Sequence, residues 1–329
     1  MQIYNKNMQF LIRIVRKLFS ILVKKPFKAI FCRNMVEFNM GITQKFRQYF
    51  QVNDIDFKEK QLIENMDEIS CNYIKHTVDL YRRTTNCKPN AKSICIKDKW
   101  CDYDKVQIEN AKNVKQPFPN DIHIDEFMMA NCYGLTDLPK DVFAKIHDGG
   151  IIDCGAFVGD TCVLFNHYFP KTPIYAFDPM EKNIAEIDKQ IGNGVIKNTT
   201  LFHAGVADKT GKGKFIVVAD NELMAIAEDE NANGKAIMQY DIVTLDDKLG
   251  GKKISLIKAD TEGLEMLIIL GAEKILKKQK PVLAIAMYHT PQDFFDLKSK
   301  IAEMNPEYKF MVRRSQVHHP LYELVLIAY

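Results

Sequence analysis

The sequence predicts an α/β fold whose C-terminal half is built on a mostly parallel sheet. After residue 145, short apolar runs alternate with helical patterns, which is typical of a parallel sheet covered by helices. The first of these runs, 151–154, leads directly into a turn that contains two glycines. Two closing apolar runs lie close together in sequence, so a hairpin is the simplest link between them. We therefore expect a mostly parallel sheet with an antiparallel C-terminal hairpin.

The elements of this half can be assigned in chain order. Five parallel strands are predicted at 151–154, 173–177, 200–204, 254–259 and 281–288. Helices are predicted at 160–168, 179–191, 264–277 and 293–304, the second with a proline at its first position. Runs 214–219 and 236–245 nearly alternate between polar and apolar and are predicted to form an inserted antiparallel pair. The closing hairpin is predicted at 308–313 and 323–329.

The chain before residue 145 has a different character. Apolar residues at helical spacing recur between 56 and 83, and a further short helix is predicted at 122–133. Neither a repeat nor a low-complexity tract is visible. We divide the chain into a basic segment at 1–33, a mainly helical region at 34–145 and a sheet domain at 146–329.

The first 33 residues hold eight basic side chains and no acidic one, within a chain whose net charge is +3. The rest therefore sums to −5, which argues against a nucleic-acid partner for the body. Phe10, Ile14, Leu18 and Leu22 recur at helical spacing and predict an amphipathic helix. This helix either docks on its own domain or a homo-oligomer partner, or attaches peripherally to an anionic membrane.

Composition predicts an ordinary globular protein, at 47% apolar and 26% charged residues. Eight cysteines show no C-x-x-C pattern, so we expect reduced thiols and no zinc site. No apolar stretch reaches the ~20 residues that a membrane span needs. Basic residues interrupt the N-terminal apolar run, whereas a secretory signal has an uninterrupted apolar core. A cytoplasmic location is expected, and the alternative is peripheral attachment at the inner face of the membrane.

A candidate cofactor loop follows the first strand, with the sequence Asp153-Cys-Gly155-Ala156-Phe-Val-Gly159-Asp160-Thr161. Ligands of open α/β sheets bind at the carboxyl ends of the strands, and glycines allow close backbone approach there. A dinucleotide loop would have glycine in the middle position, where this sequence has Phe157. The spacing therefore favours a ligand without a pyrophosphate. Asp153 suits a cationic ligand such as S-adenosylmethionine, which carries a sulfonium and an amino group.

The next two strands add candidate cofactor contacts. The second ends at Asp178-Pro179, and an acid there can accept both hydroxyls of a ribose. Asp178 could instead cap the following helix, and the two roles are compatible. Gly205 and Val206 follow the third strand and would lie beside an adenine, although a simple turn is an equal alternative.

Candidate catalytic residues follow the fourth and fifth strands. Asp260 and Glu262 stand in the run Lys258-Ala-Asp-Thr-Glu-Gly-Leu-Glu265, and His289 follows the fifth strand. These groups could contact an acceptor or serve as a general base. The alternatives are a helix cap with acids on its first turn, and a structural histidine. We expect no metal, although a divalent ion between Asp260, Glu262 and His289 is the weaker alternative.

Taken together, these motifs resemble the FkbM family of methyltransferases. The resemblance covers somewhat over half the chain and includes 153–159, 175–179, 243–247, 258–265 and the Tyr288-His289 strand end. The 258–265 run is the most specific part. Where the family usually has Phe-Glu-Pro, this sequence has Phe177-Asp178-Pro179, which keeps the carboxylate on a shorter side chain.

The resemblance implies a class I methyltransferase (Rossmann-like) fold, S-adenosylmethionine as methyl donor, and O-methylation of a hydroxyl, often on a sugar or natural product. The acceptor, a small molecule or glycan, would bind between the N-terminal region and the 205–245 insert. Two rivals stay open, a nicotinamide-dependent oxidoreductase and a non-catalytic scaffold on the same sheet. A third reading makes the N-terminal region a recruitment module for methylating a surface glycan or lipid-linked sugar.

Overall fold

The computed structural model describes residues 35–37, 40–87, 93–95, 100–112, 114, 124–217, 225–227, 236–317 and 319–329. The predicted amphipathic helix at 1–33 lies outside them. Among these residues no helix is both long and apolar enough to cross a membrane.

The region before residue 146 is mainly helical, as predicted. Its elements are strand β1 (Met35–Glu37), helices α1 (Met40–Val52), α2 (Ile55–Ile63) and α3 (Glu68–Thr85), strand β2 (Ser93–Cys95), and helices α4 (Asp102–Ala111), α5 (Glu126–Asn131) and α6 (Lys140–Lys145). Asp54 and Asp67 cap α2 and α3 by accepting backbone N–H groups with their side chains. Two 3-10 turns, Leu135–Asp137 and Ile146–Asp148, lead into the sheet domain.

The sheet domain alternates strands and helices as the sequence predicts. Its strands are β3 (Gly150–Cys154), β4 (Ile174–Asp178), β5 (Thr199–His203), β6 (Gly205–Val206), β7 (Gly211–Val217), β8 (Ala225–Ala227), β9 (Ala236–Val243), β10 (Ile254–Ala259), β11 (Val282–Ala286), β12 (Phe310–Arg314) and β13 (Leu324–Ala328). Its helices are α7 (Asp160–Tyr168), α8 (Glu181–Gly192), α9 (Leu245–Leu249), α10 (Glu265–Leu270), α11 (Glu273–Gln279) and α12 (Pro291–Met304).

The main sheet has seven strands in the order β12-β13-β11-β10-β3-β4-β5. The five strands from β11 to β5 run parallel, while β13 lies antiparallel between β11 and β12. The strand order reverses between β3 and β10, so their carboxyl ends open the crevice where such sheets bind ligands. The predicted class I fold with its antiparallel C-terminal hairpin is confirmed.

The inserted strands form a second sheet of four, in the order β6-β9-β7-β8. The predicted antiparallel pair is its centre, with β7 against β9 from Gly211–Ile242 to Val217–Ala236. Strands β6 and β8 were not predicted, because strands of two and three residues carry too little periodicity.

Three predicted helices of the sheet domain have other bounds in the structure. The helix at 264–277 is divided at Gly271 into α10 and α11, and the helix at 293–304 begins earlier, at Pro291. Position 271 needs a glycine, because a Cβ there would lie 2.1 Å from the carbonyl oxygen of Ala207. The glycine carbonyl also accepts the N–H of Asp246. Helix α8 begins at Glu181 rather than Pro179, since Met180 has an extended backbone.

The N-terminal helices pack onto the sheet domain. Phe46 of α1 stacks on Tyr81 of α3 with ring centroids 3.9 Å apart, and both belong to one buried cluster with Leu326 of β13. Arg314 of β12 is fully buried and pairs with Asp104 of α4 at 3.0 Å. Residues on both sides of position 145 therefore share one core, and the proposed domain boundary stays a prediction.

Candidate active site

A cavity of about 410 Å³ opens at the carboxyl ends of β3, β4, β10 and β11. Its lining comes from the loop after each of these strands, and also from α5, the turn after it and the closing hairpin. Parallel strands bring their carboxyl ends to one edge, so residues more than 100 positions apart meet here. We call the side lined by the β3 and β4 loops the cofactor end. The side lined by the β10 and β11 loops and the hairpin is the acceptor end.

The glycines of the cofactor loop serve the protein's own packing. Gly155 has a φ of +74°, and a Cβ there would lie 2.0 Å from the carbonyl oxygen of Asp260. Gly159 has a φ of +89° and packs on Ile196 and Ile187. The glycines were predicted to make room for a ligand. In the structure, Gly155 joins the cofactor loop directly to the acceptor end.

Asp178 ties the cofactor end together. Its Oδ1 accepts the backbone N–H of Met180 at 2.8 Å and the amide of Asn183 at 3.0 Å, while its Oδ2 accepts the N–H of Phe157 at 3.0 Å. The side chain is 4% exposed and borders the cavity, and burial raises its pKa to about 6. Asp178 therefore fixes the cofactor loop and the residue before α8, which is compatible with ribose binding. It does not cap α8, because the N-cap is Met180 and no side chain accepts the first N–H groups of this helix.

A buried ion pair lies beneath the loop. Lys258 Nζ is 3.0 Å from Asp153 Oδ1 and donates to the carbonyl oxygen of Gly155 at 2.9 Å. Asp153 is fully buried, and its other oxygen accepts the hydroxyl of Thr161 at 2.5 Å. Burial acts to lower the pKa of Lys258. Three nearby carboxylates outweigh burial and raise this pKa above its usual value, namely Asp153, Asp260 and Asp160. Asp153 thus supports the loop from below rather than lining the cavity as a partner for a cationic ligand.

At the acceptor end, Asp260 receives two tyrosine hydroxyls. Tyr133 donates to its Oδ2 at 2.7 Å and Tyr288 to its Oδ1 at 3.2 Å. Burial, with Asp260 as a further cause, holds the pKa of both tyrosines well above the usual value, so both remain donors. Glu262 borders the same wall with a left-handed backbone, φ +61°, and burial raises its pKa above the usual value.

His289 lies behind this wall and is 2% exposed. Its Nδ1 donates to Glu265 Oε1 at 3.0 Å, and the same oxygen accepts the N–H of Thr261 at 2.7 Å. Its Nε2 faces Asp260 Oδ1 at 3.5 Å and Glu262 Oε2 at 3.7 Å. Although burial acts to lower the pKa of His289, the three carboxylates raise it to about 10. His289 does not line the cavity itself, and its predicted role as base stays a prediction.

Glu323 completes the acceptor end and was missed by the sequence analysis. It lines the cavity from the turn before β13, and its backbone has a φ of +68°. Its Oε2 accepts the hydroxyl of Ser315 at 3.1 Å. Burial, and then Asp260, raise its pKa to about 7. A carboxyl group that titrates near neutral pH beside a cavity is a candidate general base.

Comparison with known proteins agrees with this architecture. Residues 153–314 match the family model described as the methyltransferase FkbM domain. The chain carries a methyltransferase FkbM domain. The matched segment holds the cofactor loop, Asp178 and the acidic wall from Asp260 to Glu265.

Two relatives illustrate how far the likeness extends. The chain is 22% identical over 169 residues to "Methyltransferase 1" of Beauveria bassiana (strain ARSEF 2860), a match that covers 45% of this chain and 65% of that protein. A crystal structure of methyltransferase FkbM from Methylobacillus flagellatus KT superimposes with a TM-score of 0.55 at 17% identity, over 83% of this chain and 58% of that one. The matches thus span less than two thirds of either relative, and the structural one shows the fold alone.

Within the FkbM domain, most predicted site residues border one cavity. The nine that do are Gly155, Asp160, Thr161, Asp178, Pro179, Gly205, Val206, Asp260 and Glu262. The other four lie behind the lining and support it: Asp153, Ala156, Gly159 and His289.

Parts of the acceptor end lie outside the matched segment. Met128 and Tyr133 come from the N-terminal region, as expected, while Gln316 and Glu323 come from the closing hairpin, which was not expected. Of the predicted contribution from the 205–245 insert, Gly205 and Val206 border the cavity, and 218–224 and 228–235 lie outside the described residues.

Proposed function

We propose that the chain is an S-adenosylmethionine-dependent O-methyltransferase that acts on a hydroxyl of a sugar, glycan or glycosylated metabolite. The observation that carries the proposal is one cavity that joins a nucleoside-type loop at one end to a carboxylate and tyrosine wall at the other. The FkbM domain supports methyl transfer, and the two ends supply separate places for donor and acceptor.

The cofactor end fits this donor by charge and by shape. Phe157 occupies the position where a pyrophosphate loop has glycine, and its N–H is already held by Asp178. Asp160 and Asp178 border the cavity, and they suit a donor that carries a sulfonium and an amino group. Asp178 would accept ribose hydroxyls, while Gly205 and Val206 would pack beside the adenine.

The chemistry requires positioning and the removal of one proton. S-adenosylmethionine supplies a methyl group on a good leaving group, so the C–S bond breaks as the C–O bond to the acceptor forms. The protein must hold the acceptor oxygen within about 3–3.5 Å of the methyl carbon. A sugar hydroxyl is a weak nucleophile and needs a base at its proton.

Glu323 is the base that we propose, in place of His289. Glu323 combines a pKa of about 7, raised by burial, with a place on the cavity wall. Asp260 already accepts a tyrosine hydroxyl on each of its two oxygens. Tyr133, Tyr288, Gln316 and the carboxylates would bind neighbouring hydroxyls, which supports a polyhydroxyl acceptor.

Calorimetric titration of the full chain with S-adenosylhomocysteine tests the donor. We expect one site with a Kd in the micromolar range, a loss of binding in Asp178→Ala, and normal binding in Asp208→Ala, an exposed carboxylate outside the cavity lining. Saturable binding of NAD⁺ with no binding of S-adenosylhomocysteine would instead support the oxidoreductase.

Transfer of labelled methyl from the donor to fractionated cell extracts, followed by mass spectrometry, tests the acceptor. We expect label in a glycan or glycosylated metabolite as a methyl ether that survives mild base. Label only in base-labile esters or in protein would refute the acceptor class while leaving the donor assignment intact. Donor binding without any transfer, and full biological function in Asp178→Ala, would favour the scaffold alternative.

A further inference from the structure

The acceptor end contains a buried histidine nitrogen without a hydrogen-bond partner. His289 Nε2 is buried, has no partner among the described residues, and faces Asp260 Oδ1 at 3.5 Å and Glu262 Oε2 at 3.7 Å. Buried polar atoms are rarely left without a partner, and each case calls for a physical explanation. The carboxylate oxygens cannot donate to this nitrogen, and at these distances it makes no good hydrogen bond to them.

We propose that His289 Nε2, Asp260 and Glu262 hold a divalent cation of the Mn²⁺ or Mg²⁺ class on the wall of the acceptor end. An imidazole nitrogen with two carboxylate oxygens is a donor set that such ions accept. Neighbouring ligands of an octahedral ion lie about 3 Å apart, given bonds of about 2.1 Å. Side-chain shifts of roughly half an ångström would bring Asp260 and Glu262 that close to Nε2.

Glu265 orients the histidine for this role. Its Oε1 accepts the Nδ1 proton of His289 at 3.0 Å, which leaves Nε2 with a lone pair when the ring is neutral. A metal-binding histidine usually donates its second ring nitrogen to a carboxylate in this way. Ligand atoms of Asp260, Glu265 and His289 lie within 4.8 Å of one another, a group that does not include Glu262. Because Glu265 contacts the Nδ1 side of the ring, we assign it as the orienting carboxylate and Glu262 as the third ligand.

The surrounding charge favours a cation. Five carboxylates interact electrostatically with His289, namely Asp260, Glu262, Glu265, Asp293 and Glu323. Three cations among the described residues interact with these carboxylates. Lys258 is paired with Asp153 at 3.0 Å and Arg314 with Asp104 at 3.0 Å, while Lys45 acts on Glu262. A divalent ion would balance more of this charge than a single proton on His289, and could enter from the cavity because Asp260 and Glu262 are 23% and 28% exposed.

The role of the ion rests on the proposed function. A hydroxyl bound to a divalent cation loses its proton more readily, because the ion stabilises the alkoxide. The acceptor oxygen would thus be held between the ion and Glu323, with its proton passing to the Glu323 carboxylate. The ion would also bind neighbouring hydroxyls of a polyhydroxyl acceptor.

Titration with Mn²⁺ alone tests the site without donor or acceptor. The full chain, with any affinity tag removed and after treatment with a chelator, is titrated by calorimetry and by electron paramagnetic resonance. We expect one site with a Kd below about 100 µM, and pulsed measurements should show coupling to one histidine nitrogen. His289→Gln and Asp260→Asn should weaken binding at least about tenfold, while His203→Gln, an exposed histidine at the end of β5, should not change it.

Absence of saturable Mn²⁺ binding, or binding without nitrogen coupling, would overturn the proposal and leave a protonated His289 as the balancing cation. If His289→Gln fails to fold, nitrogen coupling that is lost in Asp260→Asn and kept in His203→Gln still locates the ion at the acceptor end. Retained S-adenosylhomocysteine binding would then show that the metal site has failed while the donor assignment stands. Conversely, Mn²⁺ binding without donor binding would show that the proposed function has failed.

Discussion

The two ends of the cavity are built in different ways. The cofactor end comes mainly from β3, β4 and their loops, whose polar groups meet at Asp178, and only Lys258 of β10 supports the loop from a distant part of the chain. The acceptor end is assembled from α5, β10, β11 and the closing hairpin, and Tyr133 and Glu323 in it lie outside the FkbM match at 153–314. If the proposed function holds, donor binding would depend mostly on one stretch of the chain, whereas acceptor binding would depend on how distant segments meet. A substitution at the cofactor end should therefore alter mainly donor affinity, and a substitution at the acceptor end should alter mainly turnover.

Glu323→Gln is expected to cause the largest difference between its effect on turnover and its effect on donor affinity. Removal of a general base lowers turnover by about 10²–10⁴-fold, and the amide keeps the size of the side chain. Donor affinity should stay within about threefold of the original, because Glu323 belongs to the acceptor end. Methyl transfer to the extract fraction that contains the acceptor measures the first quantity, and calorimetry the second. Turnover within tenfold of the original would remove Glu323 as the base.

Asp178→Ala should produce the opposite pattern. The substitution removes the acceptor of the Phe157 and Met180 N–H groups and of the Asn183 amide. We expect a loss of donor affinity of about 100-fold, or about 2.7 kcal/mol. Asp208→Ala is the matched control, and thermal melting of each variant shows whether the fold is retained. Unchanged affinity for S-adenosylhomocysteine would contradict the assignment of the cofactor end.

Gly155→Ala should lower the stability of the fold, because Gly155 is where the cofactor loop packs against the backbone of the acceptor end. An alanine Cβ would lie 2.0 Å from the Asp260 carbonyl oxygen, in a backbone with a φ of +74°. Gly194→Ala is a matched control, since its φ is +72° and nothing lies within 4 Å of its Cβ. We expect urea unfolding to show a loss of about 1 kcal/mol for Gly194→Ala and at least about 2 kcal/mol more for Gly155→Ala. Equal losses would mean that the contact between the ends is dispensable.

The sequence predicts the parts of the site that local motifs build better than the parts that distant segments build. Strand 254–259 and helix 160–168 were predicted to the residue, since each is a short apolar pattern bounded by polar residues. Nine of the thirteen predicted site residues border the cavity because they end predicted parallel strands, whose carboxyl ends must meet.

The rest depends on tertiary structure. Glu323 reaches the cavity because β13 inserts between β11 and β12, and a lone glutamate in a turn shows no such pattern. The break between α10 and α11 lies where Gly271 packs closely on Ala207, a tertiary contact that local periodicity does not encode. The burial of His289 among three carboxylates was not predicted, because these carboxylates converge only in the folded chain.

A pH dependence should distinguish the cofactor end further. Burial raises the pKa of Asp178 to about 6, so its carboxylate is ionised above that pH and protonated below it. Since the ionised form accepts the hydrogen bonds, donor affinity should be constant from pH 7 to 8 and fall by up to about tenfold per unit below pH 6. Asp178→Asn should bind weakly at all of these values, with a flatter dependence. A steep fall that persists in Asp178→Asn would assign the titration to another group.

The smallest effect is expected for Tyr133→Phe, which removes one donor from Asp260 at the acceptor end. Tyr288 still donates to the other oxygen of Asp260, so the carboxylate keeps part of its support. We expect turnover to fall about fivefold, or about 1 kcal/mol, with donor affinity unchanged. Tyr288→Phe and the double variant complete a double-mutant cycle. If the double variant loses more activation free energy than the two single variants together, both hydroxyls act through Asp260. A change in donor affinity larger than the change in turnover would show that the two ends are coupled through Tyr133, contrary to the separation argued above.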